Sequence, residues 1–386
     1  TGVHSDRLPE EQRRGMSIDL GFAYASLSPE LPVGFVDVPG HEKFVRNMLA
    51  GVTAVDCALL VVAADDGAMP QTREHLDILD LLGIERGVIA LTKIDRVNEA
   101  RIAQVTEELE ALVGKTSLAG APVVPVCAPQ AVGIAELKAA LAHHEVAGTH
   151  DEASGFRLAI DRSFSLSGAG LVVTGHVFSG RVQLDDMVVI APQGLQARVR
   201  GIHANDQQAE VGRAGQRCAL NLAGAEVRKD KVQRGQWAVN ASAHLATQRL
   251  DARIRVPANA DKPLAHWTPV HLHLGTQDVT ARLALLEADT IEPGESGLVR
   301  VMPNRPMAAW VGDRFIIRDQ SARRTIGGGE VLDAHPPVRG RARPERLQVL
   351  KATRSIAPAK AFAALAESQP QGVEIDTFQR GWNMAD

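Results

Sequence analysis

Aromatic side chains are scarce in this sequence of 386 residues: Phe, Trp and Tyr together make up 4%, and tyrosine occurs once, as Tyr24. We therefore expect hydrophobic cores built from aliphatic side chains. Cysteine is also rare, since only Cys57, Cys127 and Cys218 are present, widely spaced and odd in number. Such a set provides no disulfide framework and is typical of proteins in a reducing cytoplasm.

Long apolar runs and a strong excess of charge are missing as well. No apolar stretch reaches the roughly 18 residues of a membrane-spanning helix, and residues 1–6 do not resemble a secretion signal. Lys and Arg number 42 against 46 Asp and Glu, a formal net charge of −4. This balance argues against a basic nucleic-acid coat over the whole surface, but it allows a local basic patch.

Residues 1–150 show a regular alternation of strand and helix patterns. Short apolar runs without polar alternation lie at 34–38, 58–63, 87–91 and 122–126. Runs of this kind are typical of strands covered on both faces. Helical patterns with apolar residues on one face lie between them, at 71–82 and 98–113. The alternation predicts an α/β domain with a parallel sheet.

The pattern changes after a polar linker at residues 150–155. Short alternating strands with frequent Gly, Asp and Pro follow, and hardly any helical window occurs among them. We predict two β-barrels here, over residues 151–243 and 244–336. The pattern shifts again at Pro336 and Pro337, and residues 337–386 carry an arginine cluster and a helical pattern at 360–367.

Asp37, Gly40 and His41 stand at the end of a predicted strand, in the sequence Asp-Val-Pro-Gly-His. In an open α/β sheet, ligands bind at this edge. Asp37 can support Mg²⁺ through water, and the N–H of Gly40 can approach a phosphate oxygen closely. His41 can orient an attacking water. Taken alone, the motif fits an ordinary strand-to-loop turn equally well.

Thr92, Lys93 and Asp95 end a second predicted strand about 55 residues later. An Asp carboxylate there can accept two hydrogen bonds from guanine, from N1–H and the exocyclic amine, and adenine offers neither donor at that place. The aliphatic part of Lys93 can lie along the flat base. The four residues 92–95 are a weak signal alone and a strong one at this spacing from Asp37.

Residues 14–19, 37–41 and 92–95 resemble the switch I, switch II and base-recognition motifs of translational GTPases. A narrower resemblance is to the selenocysteine-specific elongation factors, which are dedicated to selenocysteyl-tRNA. In the first domain it rests on Thr92 and on residues 6–11, 13–24, 40–44, 47–51 and 71–76. It continues through residues 159–162, 168–175, 215–217 and 318–323 and covers nearly the whole chain.

The resemblance implies a multidomain chain: an α/β GTPase domain of the P-loop type, two β-barrels and a short helical C-terminal segment, the start of a winged-helix region. The family's phosphate loop has no match here, so we expect a copy truncated at both ends that lacks the first strand and the phosphate loop. GTP binding by the chain as given therefore stays open. RNA-hairpin binding is expected to be missing or crippled.

Residue roles follow from the same resemblance. Ser17 replaces a threonine of switch I and keeps the hydroxyl that would ligate Mg²⁺ with Asp37. Cys127 and Ala128 occupy the last guanine loop, where a backbone N–H does the work. GTP or GDP and Mg²⁺ are the implied cofactors, and His41 is the implied catalytic residue.

A selenocysteine pocket is implied in the first barrel, at Asp161, Arg162 and Arg217. Fixed positive charge there would favour a selenolate over a neutral serine hydroxyl. We expect Asp161 to hold Arg162 in position, although taken alone the two residues would fit a surface ion pair.

The implied function is GTP-dependent delivery of selenocysteyl-tRNA to the ribosome, in the cytoplasm, with a selenoprotein mRNA hairpin as a further partner and no membrane. One alternative is a general elongation or initiation GTPase; another is a non-hydrolysing remnant that binds RNA or protein. Arg339, Arg341, Arg343 and Arg346 fit either a grip on RNA phosphates or a solvated linker.

Overall fold

The computed structural model of the chain describes residues 5, 8–28, 31–144, 150–168, 170–353, 357–368 and 372–384. The chain divides into two compact units, Thr1–Thr149 and His150–Asp386. Asp6, Arg7 and Ala169, which belong to stretches that carry the resemblance, lie outside the described residues. No helix among the described residues is both long and apolar enough to cross a membrane.

The first unit contains an antiparallel hairpin, a parallel sheet and surrounding helices. Its strands are β1 (Gly21–Ser28), β2 (Leu31–Asp37), β3 (Ala58–Ala63), β4 (Gly87–Thr92) and β5 (Val123–Pro125). Its α-helices are α1 (Pro9–Arg14), α2 (Val45–Val52), α3 (Pro70–Leu82), α4 (Glu99–Val113) and α5 (Ile134–His143). Single 3-10 turns lie at Glu42–Phe44, Ile94–Arg96 and Ala128–Gln130.

The predicted α/β character of this unit is confirmed. β3, β4 and β5 form a parallel sheet in that order, and α3 and α4 coincide with the predicted helical patterns. Leu76 and Leu79 of α3 pack in one core with Leu109 of α4 and with Ile89 and Leu91 of β4. These apolar positions recur every three or four residues along each helix, which is why one face of the helix is buried.

The strand predicted at 34–38 is present as β2, but it does not pair in the parallel sheet as expected. β2 pairs antiparallel with β1 from Gly21 opposite Asp37 to Ser28 opposite Leu31. Only two residues separate the strands, and so short a connection favours a hairpin, whereas parallel pairing needs a long crossover. Among the described residues the hairpin forms a sheet of its own.

The second unit begins with a closed barrel. Its strands are β6 (Arg157–Leu166), β7 (Gly170–Ser179), β8 (Arg181–Gln183), β9 (Met187–Ala191), β10 (Leu195–Ala204), β11 (Gln207–Ala209), β12 (Val211–Arg213), β13 (Arg217–Ala223) and β14 (Trp237–Val239). The order β10-β13-β7-β6-β14-β9 closes by pairing of β9 with β10. Alternate residues of β13, namely Cys218, Leu220 and Leu222, point into the core, as period-two strands require.

A second closed barrel follows. Its strands are β15 (Leu250–Arg255), β16 (Leu264–Ala265), β17 (Thr268–Leu274), β18 (Gln277–Leu285), β19 (Thr290–Ile291), β20 (Ser296–Pro303), β21 (Arg314–Asp319) and β22 (Thr325–Asp333). The closed order is β15-β20-β18-β17-β21-β22. Both predicted barrels are therefore confirmed as structures.

Aromatic side chains concentrate where the two barrels meet. The rings of Trp237 and Trp310 are fully buried, with centroids 5.1 Å apart. The guanidinium of Arg157 lies 4.5 Å from the Trp310 centroid and donates to Asp313 at 2.8 Å. The expectation of purely aliphatic cores is therefore wrong at this junction, because aromatic rings pack against each other in its core.

The C-terminal helices are α6 (Pro344–Thr353), α7 (Pro358–Ser368) and α8 (Ile375–Gly381), and buried polar groups of α6 and of the residues after α8 contact the barrels. Arg346 of α6 donates to Asp251 at 2.7 Å and to Asp333 at 2.6 Å. After α8, the amide nitrogen of Asn383 donates to the Gly155 carbonyl at 3.0 Å and to Ser179 at 2.9 Å. These contacts join the tail to both barrels.

Candidate functional site

Three loops lie side by side at the carboxyl edge of the parallel sheet. Ala63 pairs with Thr92, and Leu91 pairs with Pro125, so β3, β4 and β5 end at the same edge. The loops that follow carry Asp65, the Thr92–Asp95 motif and the Cys127–Ala128 pair. The structure therefore brings together the residues predicted for base recognition, and parallel pairing explains why.

The Thr92–Asp95 loop is ordered by contacts with its neighbours. The Thr92 hydroxyl donates to the Val62 carbonyl at 3.2 Å, and Lys93 has a left-handed backbone with φ of 57°. The Lys93 ammonium lies 3.5 Å from Asp65. Desolvation alone would raise the pKa of Asp65, but the charge of Lys93 and the hydrogen bonds from Lys93 and from the backbone N–H groups of Asp65 and Asp66 together outweigh it, and the pKa is lowered. The Asp95 side chain is exposed at the edge of the sheet.

In the last loop, one of the two expected backbone donors is already engaged. The N–H of Cys127 donates to the Val132 carbonyl at 3.0 Å, and the N–H of Val132 donates back at 3.1 Å. Cys127 is buried and precedes the 3-10 turn that Ala128 opens. Of the two predicted residues, Ala128 is thus the better placed to offer a backbone N–H to a base.

Ser17 and Asp37 lie close together, as the resemblance implies. The Ser17 hydroxyl donates to Asp37 Oδ2 at 3.5 Å, and the Ser5 hydroxyl donates to the same oxygen at 2.5 Å. Asp37 is the last residue of β2, whereas Ser17 comes from the loop before β1. Two side-chain oxygens on adjoining segments form a set of hard ligands suited to Mg²⁺.

Glu11 is a residue of this site that the sequence analysis missed. Its carboxylate is buried and accepts hydrogen bonds from the backbone N–H groups of Ile18 and Asp19, both at 2.9 Å. Asn47 of α2 donates to the Ile18 carbonyl at 2.8 Å. Glu11 and Asn47 thereby fix the loop that carries Ser17. A buried glutamate in a polar helix has no local sequence signal, so only the fold reveals this role.

Gly40 and His41 form the turn after β2. A Cβ built on Gly40 would lie 3.9 Å from the ring of His75 in α3, so the turn packs against that helix. His41 Nδ1 accepts the N–H of Lys43 at 3.2 Å. In the neutral ring, Nδ1 as acceptor leaves the proton on Nε2. The His41 side chain thus has one nitrogen engaged in the turn and the other available as a donor.

Asp161 and Arg217 form the most ordered polar pair on the first barrel. Arg217 Nε and Nη2 donate to the two carboxylate oxygens of Asp161, each at 2.9 Å. Arg217 Nη2 also donates to the Thr174 hydroxyl at 2.9 Å, and that hydroxyl donates to Asp161. Such two-point guanidinium–carboxylate pairs fix both position and orientation. The expectation that Asp161 would hold Arg162 is not what the structure shows, because Asp161 holds Arg217.

A β-bulge at Asp161 explains this change. Ile160 pairs with Gly175 and Arg162 with Thr174, so Asp161 is the extra residue. β6 and β7 approach very closely here, since a Cβ on Gly175 would lie 2.0 Å from the Ala159 carbonyl oxygen. The bulge turns Asp161 toward β13, where Arg217 lies.

His176 is a second residue that the sequence analysis did not assign. It pairs with Arg217 across β7 and β13. Burial lowers the pKa of His176 to about 4, and the nearby charges of His150 and Arg217 add to this effect. The imidazole is therefore neutral near pH 7, and the fixed positive charge of the site comes from arginine.

Comparison with known proteins supports the division of the chain. Residues 2–146 match the family described as elongation factor Tu GTP binding domain, and residues 170–239 match elongation factor Tu domain 2. Residues 251–338 match the family described as selenocysteine-specific elongation factor, beta-barrel domain. A GTP-binding domain of this type followed by two β-barrels is the architecture of translational GTPases.

Within that class, the chain is a homologue of the selenocysteine-specific elongation factors. It is 43% identical over 334 residues to the one of Desulfomicrobium baculatum, an alignment of 86% of this chain and 52% of that protein. It is 41% identical over 389 residues to the one of Escherichia coli (strain K12), covering 100% of this chain and 59% of that protein. The chain thus spans between half and three fifths of these relatives.

Solved structures give the same result. The crystal structure of a bacterial selenocysteine-specific elongation factor, EF-Sec, is similar with a TM-score of 0.87 and 29% identity, over 100% of this chain and 62% of that one. Elongation factor SelB of Methanococcus maripaludis, in complex with the GTP analogue GPPNHP, is similar with a TM-score of 0.74 and 25% identity, over 83% and 74% of the two chains.

Proposed function

We propose that the protein is a GTP-dependent elongation factor that delivers selenocysteyl-tRNA to the ribosome at recoded UGA codons. The observation that carries the choice of tRNA is the Arg217 guanidinium, which Asp161 holds in one orientation on the barrel where the resemblance places the selenocysteine pocket. The ribosome and a selenoprotein mRNA hairpin are the further partners that we propose, and the cytoplasm is the compartment.

For the GTPase activity, the residues of the first unit fit a magnesium-bound guanine nucleotide. The side-chain oxygens of Ser17 and Asp37 lie 3.5 Å apart. Oxygen atoms are the ligands that Mg²⁺ prefers, so these two residues would hold the ion. Mg²⁺, when bound, supplies neutralisation of phosphate charge. Asp95 would accept the guanine donors, Thr92 and Lys93 would shape the base site, and Ala128 would offer its backbone N–H.

His41 would orient the attacking water, and Gly40 would bind the γ-phosphate oxygen through its N–H. The Nε2–H of His41 is the group that faces this task, because Nδ1 is held by the Lys43 N–H. The turn with Gly40 and His41 directly follows β2, so a movement of the end of β2 would also move the turn. Order in this turn would then depend on the nucleotide, as in other GTPase switches.

In the selenocysteine pocket, charge selects the amino acid. A selenol is acidic enough to be mostly ionised near pH 7, whereas a serine hydroxyl is neutral. Arg217 cannot lose its proton there, so the positive charge is permanent. Asp161 and Thr174 orient the guanidinium and leave it partly exposed, with 18% of its side chain accessible. Arg162, opposite Thr174, would add a second cation.

Arg217→Gln tests the pocket. Glutamine removes the positive charge and keeps an amide N–H that can donate to Asp161. We expect selenocysteyl-tRNA to bind roughly ten- to a hundredfold more weakly, since one charge-assisted contact is worth about 1.5–3 kcal/mol. Seryl-tRNA on the same tRNA body should be little affected. Both affinities are measured with the GTP-loaded protein.

Arg162→Ala is measured in the same assay, and Arg198→Ala, on the outer face of the same barrel, is the matched control. Arg198 pairs with exposed Asp185 and should change neither affinity. Equal losses of both tRNAs in the Arg217 and Arg162 variants would show that these arginines hold the tRNA body or the fold. No loss in either would place the pocket elsewhere.

Asp95→Asn tests base recognition. The amide presents a donor where the carboxylate accepted one, so one hydrogen bond to guanine becomes a donor–donor clash. We expect guanine nucleotide binding to fall by roughly ten- to a hundredfold and xanthine nucleotide binding to rise in competition experiments. Glu99→Gln, which changes an exposed carboxylate at the start of α4, is the control. An unchanged preference for guanine would exclude Asp95 from the base site.

A further inference from the structure

The four arginines at the start of the tail, at positions 339, 341, 343 and 346, lie in two different environments. Arg346 is buried and paired with Asp251 and Asp333, so it serves the attachment of α6. Arg339 and Arg343 are exposed, and Arg341 is half-buried. The Arg343 N–H donates to the Gly340 carbonyl at 3.2 Å, which closes a tight turn. Three of the four arginines therefore remain at the surface on that turn.

This basic turn lies against an exposed tryptophan of the second barrel. The guanidinium carbon of Arg341 is 5.8 Å from the centroid of the Trp267 ring. Arg282 Nη1 donates to the Trp267 carbonyl at 3.4 Å, and the ring of His266 lies 5.5 Å from that of Trp267. An aromatic ring framed by cationic side chains is thus displayed to solvent.

Trp267 is unusual in both exposure and backbone. Its side chain is 43% exposed, whereas Trp237 and Trp310 are fully buried. Its φ is 64°, in the left-handed region, which is strained for a bulky residue. Its N–H donates to the Leu283 carbonyl at 2.7 Å, which holds the turn in place. The strain is not offset by burial of the ring, so the fold gains little from a tryptophan here.

The charges around this ring favour an anionic partner. Of the acidic residues beside these segments in the sequence, Glu287 is already paired with Lys351, and the backbone carbonyl of Asp289 accepts the His266 N–H at 3.0 Å. Glu345 is exposed in the first turn of α6. Arg282, Arg339, Arg341 and Arg343 outnumber these three carboxylates. A flat aromatic face beside several arginines matches the stacking and phosphate contacts by which proteins hold unpaired nucleotides.

We propose that Trp267, His266, Arg282, Arg339, Arg341 and Arg343 form an RNA-binding surface, the Trp267 surface, that takes an unpaired nucleotide. The base stacks on Trp267, and the flanking phosphates contact the arginines. The nucleotide must be unpaired because bases inside a duplex have no free face. This surface lies on the second barrel and the turn that follows it, and it uses no residue of the proposed selenocysteine pocket. Each proposal can therefore be tested independently of the other.

Tryptophan fluorescence and binding of a short oligouridylate test the proposal. Titration should quench the exposed fluorescence, which comes chiefly from Trp267. Trp267→Gly should weaken binding about ten- to a hundredfold, the loss of one stacked base. Glycine adopts φ of 64° freely, so the variant should fold at least as well as the parent. Arg341→Gln should lower the salt slope of binding by about one.

The controls separate stacking from charge and from folding. Met187→Ala changes an exposed apolar side chain of the first barrel, 55% accessible, and should leave binding unchanged. An abasic oligonucleotide of equal length should bind Trp267→Gly and the parent equally weakly. Unchanged oligouridylate affinity in Trp267→Gly, or equal parent affinities for oligouridylate and the abasic strand, would overturn the proposal. Tighter binding of polyglutamate than of RNA would do so as well and would indicate an acidic peptide.

Discussion

Asp251→Asn should lower the free energy of unfolding of the second barrel by about 3–5 kcal/mol, because it leaves two buried guanidinium groups without their shared counter-charge. Asp251 is fully buried and accepts from Arg300 at 2.7 Å and from Arg346 at 2.7 Å. In the substituted chain only Asp333 remains beside these arginines. The loss is large because the arginines cannot reach water without movement of α6 or of β20.

Urea unfolding followed by tryptophan fluorescence measures this effect, since Trp310 is buried in the second barrel. Glu287→Gln is the matched control, because Glu287 and Lys351 join the same barrel to the same helix through an exposed pair. Pairs of that kind contribute below about 1 kcal/mol. Equal destabilisation by the two substitutions would mean that the buried cluster contributes no more to the free energy of unfolding than the exposed pair does. A loss confined to α6, seen by hydrogen exchange, would contradict the expected unfolding of the barrel.

His41→Ala should slow ribosome-stimulated GTP hydrolysis by on the order of a hundredfold or more, as expected for loss of a positioned catalytic group. GTP affinity should barely change, because an imidazole that orients water does not hold the ground-state phosphate. Single-turnover hydrolysis is measured on the GTP-loaded protein, and GTP affinity is measured separately on the nucleotide-free protein. A slower hydrolysis rate with unchanged GTP affinity would assign His41 to catalysis and not to nucleotide binding.

Lys43→Ala is the control for this prediction. Lys43 belongs to the same turn, is exposed and contacts His41 through its backbone N–H, which the substitution keeps. Its hydrolysis rate should stay close to that of the parent. If His41→Ala hydrolyses GTP as fast as the parent, the proposed role of His41 is wrong. A parallel fall in GTP affinity would instead indicate a disturbed turn.

The order of elements and the class of the protein were within reach of sequence analysis. β3 spans Ala58–Ala63, as the apolar run predicts, and α3 and α4 follow their helical patterns closely. These elements are 6 to 15 residues long, and each depends on the spacing of apolar residues within its own segment. That spacing can be taken directly from the amino-acid sequence. The closeness of Ser17 and Asp37 is implied by the resemblance, which assigns both residues to one Mg²⁺.

Sequence by itself determined the α/β domain, the barrel character of the middle of the chain and the positions of the switch and base-recognition motifs. Only the tertiary structure decided that Asp161 pairs with Arg217, that Glu11 anchors the Ser17 loop and that Arg346 is buried while Arg341 lies over Trp267. Each of these outcomes depends on which segments the fold brings together, and the pairing of Asp161 depends on strand register and a β-bulge. Register is set by the packing of many side chains at once, and no local pattern of residues specifies it.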